Sequence, residues 1–202
     1  MLGIVAFAVT AVLAVASRGI DLFGANVLGL ITTIGGGTVR DAILGVPVFW
    51  ATDLNYIWVT LIASSLAFYG NRLIARKRIY RLMLYLDAMG VSMFAIQAAE
   101  KVHFLEFAMP LGPILLGVFT AIGGGLMRDV LAGRPTLLTS KELYAIPVTI
   151  GCTIHAILLA EWPDQVIPIG ISCVIFTFAM RSAAIYWNLS VPRWMTLQVK
   201  QQ

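Results

Sequence analysis

Seven apolar runs, each close to the length of a membrane-crossing helix, follow one another along this 202-residue chain. A helix needs about 20 apolar residues to cross the hydrocarbon core of a bilayer. Only 12% of the residues are charged, against about 25% in soluble domains. We therefore predict an all-α membrane protein with one transmembrane domain, residues 1–202, and exclude a soluble enzyme. The seven predicted transmembrane helices cover residues 2–17, 22–44, 56–74, 82–99, 107–132, 143–160 and 165–187.

The basic residues outside these runs are concentrated on one side of the predicted membrane. If the amino terminus lies outside, ten of them fall in inside segments, and Lys101 is the basic residue of the outside segments. Cytoplasmic loops carry the excess of Lys and Arg in membrane proteins, so we expect an outside amino terminus and a cytoplasmic carboxyl terminus. The ten residues are Arg18, Arg72, Arg76, Lys77, Arg78, Arg81, Arg134, Lys141, Arg193 and Lys200.

The sequence contains an internal repeat with an offset of 88 residues. Residues 29–56 read GLITTIGGGTVRDAILGVPVFWATDLNY, and residues 117–144 read GVFTAIGGGLMRDVLAGRPTLLTSKELY, with 11 of 28 positions identical. Repeat one (1–75) and repeat two (82–160) each hold three predicted helices, and the helix at 165–187 stands alone. Because three is odd, the second copy enters the membrane from the opposite side. Such an inverted-topology repeat is typical of transport proteins, whose sites lie at the repeat interface.

Each repeat carries three consecutive glycines within its second predicted helix. One glycine costs a helix about 1 kcal/mol relative to alanine, so we predict that helices two and five are broken or kinked there. A break would expose backbone carbonyls and act as a hinge in a pore. Close packing of helices on small residues is the alternative. The six pore or hinge glycines are Gly35, Gly36, Gly37, Gly123, Gly124 and Gly125.

Charges within the predicted helices follow each glycine triplet as Arg-Asp pairs. Neighbouring residues do not share a helix face, so we expect each charge to need water or a partner on another helix. Asp87 and Arg128 should lie at similar depth, and we predict that they pair. At offset 87 the counterpart of Asp87 is position 0, where we expect an acidic residue in a longer natural chain. The predicted pore-lining or gating polar residues are Thr32, Thr33, Thr38, Arg40, Asp41, Asp87, Thr120, Arg128 and Asp129.

The doubled GGGxxRDxxxGxP motif and the 3+3+1 arrangement resemble the TRIC family, the trimeric intracellular cation channels, and in particular their prokaryotic branch. The resemblance covers nearly the whole chain, and the same sequence domain is also described as a glycine-transporter domain. It implies a homotrimer in a prokaryotic inner membrane, with a pore for monovalent cations, chiefly potassium, in each protomer. The Lys-Glu-Val signature of the animal members, which is tied to phosphoinositide binding, is replaced here by Arg40-Asp41.

These observations favour a potassium-permeable channel whose pore is lined by helices two and five. A secondary transporter of a small amino acid such as glycine is the alternative, with the carboxylate beside Arg40 or Arg128 and the ammonium near Asp41, Asp129 or Asp87. A non-conducting membrane scaffold is a third possibility, against which the unpaired intramembrane charges argue. We expect no enzymatic activity, no cofactor, no nucleic acid partner and no metal other than permeating potassium.

Overall fold

A computed structural model describes residues 1–16, 18–70, 76–140 and 143–190, and for residues 76–78 it describes the backbone alone. The described chain is all-helical. Arg72, Lys141, Arg193, Lys200, the end of the third predicted helix and the side chains of residues 76–78 lie outside the described part. The helices are α1 (Leu2–Val15), α2 (Leu22–Leu44), α3 (Phe49–Thr52), α4 (Asn55–Gly70), α5 (Arg76–Phe104), α6 (Leu111–Leu131), α7 (Ala145–Glu161) and α8 (Val166–Tyr186).

Each of the seven predicted helices corresponds to one of these elements, and the short α3 is an addition that the sequence did not reveal. Within the described residues, four segments are long and apolar enough to cross a membrane: Leu22–Leu44, Ile79–Phe104, Leu111–Leu131 and Pro163–Tyr186. The helices Leu2–Val15 and Ala145–Glu161 are apolar but shorter. The prediction of an all-helical membrane protein is confirmed, and the seven membrane crossings stay a prediction.

The two repeats end their second helices in the same way. Gly45 follows α2 in the left-handed region with φ 66°, and Gly133, its counterpart at offset 88, lies shortly after α6 with φ 53°. A residue without a Cβ adopts that conformation at little cost, and it terminates a helix by satisfying its last carbonyls. At the other end of α2, the carboxylate of Asp21 accepts a hydrogen bond from Gly24 N at 2.8 Å. The carboxyl-terminal ends of α2 and α6 are therefore marked by equivalent glycines.

Reciprocal contacts relate α1 to α5 and α2 to α6, which form the centre of the molecule. The rings of Phe7 and Phe94, equivalent at offset 87, pack with their centroids 5.0 Å apart. Gly90 faces Phe7, and its counterpart Gly3 faces Phe94. Because these contacts occur in reciprocal pairs, they agree with the pseudo-two-fold relation inferred from the sequence. The helix α8, which has no repeat counterpart, packs on α5 and α7.

The glycine triplets do not break their helices, so the predicted break is wrong, while a kink at the triplets stays a prediction. Both α2 and α6 continue as α-helix through residues 35–37 and 123–125. The structure shows the alternative: a Cβ at Gly36 would overlap the carbonyl oxygen of Thr120, and a Cβ at Gly124 would overlap that of Thr32. Small residues let two backbones approach where lipid offers no stronger driving force. The middle glycines therefore fix the closest approach of α2 and α6.

Candidate functional site

A cavity of about 250 Å³ lies beside this α2–α6 crossing. Its wall includes the predicted residues Thr32, Thr33, Gly36, Gly37 and Thr120, together with Arg40. The remaining lining residues, which the sequence did not single out as a set, are Phe7, Phe49, Tyr56, Phe94, Gln97 and Lys101. Residues of both repeats thus meet at one cavity, as expected for a site at a repeat interface.

Asp41 anchors two cations at the wall of this cavity. Its Oδ1 accepts hydrogen bonds from Arg40 Nε at 2.8 Å and from Lys101 Nζ at 2.7 Å, and it lies 2.8 Å from Arg40 Nη2. Its Oδ2 accepts from the backbone N–H of Phe49 at 2.9 Å. Asp41 is fully buried, whereas the Lys101 side chain is 33% exposed. We call Arg40, Asp41 and Lys101 the Arg40 cluster.

The equivalent residues of repeat two form a second cluster that is closed to solvent. Arg128 Nε donates to Asp129 Oδ1 at 2.9 Å, and Arg128 Nη1 donates to Asp87 Oδ1 at 2.8 Å and to Thr10 Oγ1 at 2.9 Å. The side chains of Arg128 and Asp87 are fully buried. The predicted Asp87–Arg128 pair is therefore confirmed. We call Asp87, Arg128, Asp129 and Thr10 the Arg128 cluster.

The adjacent residues of each Arg-Asp pair do bind one another, contrary to the sequence-based expectation. The Nε atoms of Arg40 and Arg128 each reach the next residue's carboxylate. Neighbouring Cβ atoms point in different directions, but an arginine side chain is long enough to curve around the helix to its neighbour. Each aspartate also accepts a backbone N–H eight residues later, from Phe49 and from Leu137 respectively. The aspartates thereby tie each helix to the loop that follows it.

The two clusters differ in net charge and in access to water. The Arg40 cluster holds two cations and one carboxylate, and both of its cations line the cavity while Asp41 is hidden. The Arg128 cluster holds one cation and two carboxylates, all buried. A charge in a low-dielectric site acts over several ångströms because water screens it weakly. The Arg40 cluster therefore has a net positive formal charge and the Arg128 cluster a net negative one.

Two large residues, Tyr144 and Arg181, lie beside the Arg128 cluster. Tyr144 is buried, and the guanidinium of Arg181 lies 4.7 Å from the centroid of its ring. Arg181 is fully buried and donates to Leu143 O at 2.8 Å. Their burial depends on how α7 and α8 pack against α5, which no local sequence pattern reveals. The Tyr144 hydroxyl and Asp87 Oδ2 have no hydrogen-bond partner among the described residues.

The predicted threonines direct their hydroxyl hydrogens into their own helices. Thr32, Thr33 and Thr120 donate to backbone carbonyls three or four residues earlier, for example Thr32 Oγ1 to Leu28 O at 2.7 Å. Thr38 does the same, but it does not line the cavity and accepts from Trp50 Nε1 at 2.9 Å instead. A hydroxyl whose hydrogen is used keeps oxygen lone pairs free. The three cavity-lining threonines can therefore act as acceptors toward a cation or water.

A metal site needs several ligand side chains that lie close together. No three His, Cys, Asp or Glu side chains within residues 1–16, 18–70, 76–140 and 143–190 lie together as a metal ion would need. His155 is buried in α7, and neither of its ring nitrogens has a partner in the described part of the chain. The polar groups that meet at the repeat interface include the two charged clusters, the three cavity-lining threonines, Gln97 and Tyr56.

Comparison with known proteins gives one consistent result. Residues 1–72 and 84–160 match the protein family described as "Glycine transporter". A UPF0126 membrane protein of Vibrio cholerae is 37% identical over 95% of this chain and 80% of its own. A UPF0126 inner membrane protein of Escherichia coli is 34% identical over 95% of this chain and 92% of its own. The solved structure of a TRIC trimeric intracellular cation channel orthologue from Rhodobacter sphaeroides superposes with a TM-score of 0.85 at 31% identity, covering 93% of this chain and 95% of that one.

Proposed function

Since this chain belongs to the TRIC family, whose sequence domain is described as a glycine transporter, we propose that it is a channel for monovalent cations, permeable to potassium. The fold supports this proposal over its 93% overlap with a TRIC channel orthologue. The protein is a multi-pass integral protein of the inner membrane, as its similarity to inner membrane relatives and its apolar helices indicate. We further propose that the chain crosses the membrane seven times, with the amino terminus outside and the carboxyl terminus in the cytoplasm. We also propose a homotrimer with one ion path in each protomer.

The cavity at the repeat interface is the observation that carries the proposal. Polar groups are costly at membrane depth, and they are tolerated where they line a water-filled space. Three threonines, Arg40 and Lys101 line this cavity, and it reaches the glycine crossing of α2 and α6. We propose that ions enter through this cavity, pass the crossing between Thr32 and Thr120, and leave past the Arg128 cluster.

The Arg128 cluster is proposed as the closed end of the path. It is buried and bonded across three helices, from α1 through α5 to α6. Passage requires the Asp87–Arg128 pair to separate or to move as a unit. The glycine triplets remain the proposed hinge, because glycines lower the cost of bending an intact helix. Movement of α2 against α6 at Gly36 and Gly124 would then widen the crossing.

Planar bilayer recording tests the channel. The purified protein in potassium salt should give unitary openings, each passing many ions. The paired substitutions Thr32→Val and Thr120→Val remove acceptor oxygens at nearly constant volume, and we expect them to reduce the unitary current several-fold. Thr149→Val is the matched control, because Thr149 is exposed on α7 away from the cavity. The proposed path is wrong if all three variants conduct equally.

A glycine carrier is the second candidate, and one observation favours it beyond the family description. Arg40 and Lys101 both present donors to a cavity of about 250 Å³, which has room for a small amino acid. The ammonium group lacks a free carboxylate there, because Asp41 is buried and both its oxygens are bonded. Saturable uptake of glycine into liposomes, without unitary currents, would establish the carrier. Currents without uptake would establish the channel.

A further inference from the structure

The cavity that Arg40 and Lys101 line, which we call the Arg40 cavity, contains several hydrogen-bond donors without acceptors among the described residues. Arg40 uses Nε and Nη2 on Asp41, and its Nη1 has no partner among the described residues. Lys101 Nζ makes one of its three possible hydrogen bonds. The Gln97 amide and the Tyr56 hydroxyl, which also line the cavity, bond to no other described side chain or backbone group. The charged side chains on this wall are both cations, so the cavity has a formal charge of the sign that attracts an anion.

The repeat shows what occupies the same position on the other side. In repeat two, Arg128 Nη1 donates to a carboxylate, Asp87, and to an oxygen from the opposite repeat, Thr10. The counterpart of Thr10 at offset 87 is Gln97, which is present at the Arg40 cavity. Asp87 is the carboxylate that completes the Arg128 cluster. At Arg40, no carboxylate other than that of Asp41 bonds to the guanidinium among the described residues.

We propose that the Arg40 cavity binds a small monovalent anion, a halide or a carboxylate, at the position against Arg40 Nη1 that Asp87 occupies against Arg128. Lys101 Nζ is the second charged donor, and hydrogen bonds to charged groups are about twice as strong as those between neutral groups. The anion comes from solution, because the cavity that Arg40 and Lys101 line is open enough to hold one.

Bromide replaces chloride at such a site and is visible by anomalous scattering. Crystals of the 202-residue chain grown in potassium bromide should show an anomalous peak within about 3.5 Å of both Arg40 Nη1 and Lys101 Nζ. A peak at this position supports the anion site. Crystals that show no anomalous peak at Arg40 overturn the proposal.

Binding in solution gives a measurement that does not need crystals. Anion binding to the folded state raises the midpoint of thermal unfolding as the anion concentration rises. We expect Lys101→Met to weaken the apparent bromide affinity about tenfold, equivalent to 1.4 kcal/mol, and Lys101→Arg to retain it. Arg81→Met is the matched control, because Arg81 is exposed near the other end of α5. Equal affinity in Lys101→Met and the control contradicts the site. Glycine that competes with bromide shows that a solute carboxylate also fits.

The site has a consequence that rests on the proposed function. An anion neutralises the excess positive charge of the cavity, which would otherwise repel an entering potassium ion. Potassium flux into liposomes should therefore fall when a large polyanion replaces chloride outside. If the protein binds bromide but never conducts, the anion site is supported and the channel is refuted. If the protein conducts but binds no anion at Arg40, the anion site is refuted and the channel is supported.

Discussion

The middle glycine of a triplet should be the position where a single methyl group is least tolerated. In α6, a Cβ at Gly124 would overlap the carbonyl oxygen of Thr32 and lie 3.1 Å from the Phe7 ring. A Cβ at Gly123, one residue earlier, has only the Cα of Gly36 nearby, at 3.5 Å, which is an ordinary contact. We therefore predict that Gly124→Ala destabilises the protein and that Gly123→Ala does not.

The comparison of these two variants isolates the helix contact. Alanine gains up to about 1 kcal/mol over glycine inside a helix, and because both positions lie in the middle of α6, this gain cancels between them. Overpacking of a close contact costs about 1–3 kcal/mol. The obstacle at Gly124 is backbone rather than a flexible side chain, so the upper half of that range is expected. Gly124→Ala should then be about 2–3 kcal/mol less stable than Gly123→Ala.

Equilibrium unfolding in mixed detergent micelles, followed by circular dichroism, measures this difference. The reciprocal variant Gly36→Ala meets Thr120 O in the same way and should behave like Gly124→Ala. Because a single separation of α2 from α6 makes room for both methyl groups, the double variant should cost less than the sum of the two. Equal stability of Gly123→Ala and Gly124→Ala would refute the reasoning, since the crossing would then yield without cost.

Three further substitutions test the Arg128 cluster and a helix end by the same unfolding assay. Asp87→Asn leaves buried Arg128 with one carboxylate, and we expect the free energy of unfolding to fall by about 3 kcal/mol. Adding Arg128→Gln should restore part of this loss, and additive losses would show that the two residues do not stabilise one another. Tyr144→Phe removes a buried hydroxyl that has no partner among the described residues, so the free energy of unfolding should rise by about 1 kcal/mol; a loss of stability would contradict this reasoning. Gly45→Ala places a side chain at φ 66° and should lower the free energy of unfolding by about 1–2 kcal/mol, and Gly45→Asn should lower it less. If the stability of Gly45→Ala equals that of the parent, the left-handed conformation at this helix end is excluded.

The sequence could predict an ion pair between distant residues where the order of the helices fixed their depth in the membrane. Asp87 and Arg128 are 41 positions apart, yet the order of the predicted helices placed both near the same membrane face, and the ion pair is 2.8 Å long. Two opposite charges at equal depth in a medium without water strongly favour contact. The same reasoning could not find the Lys101–Asp41 contact at 2.7 Å, because Lys101 was placed in a loop and the structure extends α5 to Phe104.

The glycine triplets show why local energetics can mislead. Three glycines disfavour a helix when propensity alone is counted, and the break was predicted on that basis. Tertiary packing outweighs propensity here, since the carbonyls of Thr32 and Thr120 occupy the space that side chains at Gly124 and Gly36 would need. The alternative of close packing was available from composition. The choice between the two required the position of the opposing helix.

The sequence by itself determined that this is a helical membrane protein built from two inverted copies of one three-helix unit. Hydrophobic run length and the odd number of runs per copy suffice for that, because backbone polar groups in lipid must be satisfied within helices. Only the tertiary structure decided which copy keeps an accessible cavity and which is sealed. Repeated residues are identical at Arg40 and Arg128, but their third partners, Lys101 and Asp87, come from non-equivalent positions of α5. A single helix that contributes a cation at one end and a carboxylate at the other makes two similar motifs electrostatically opposite.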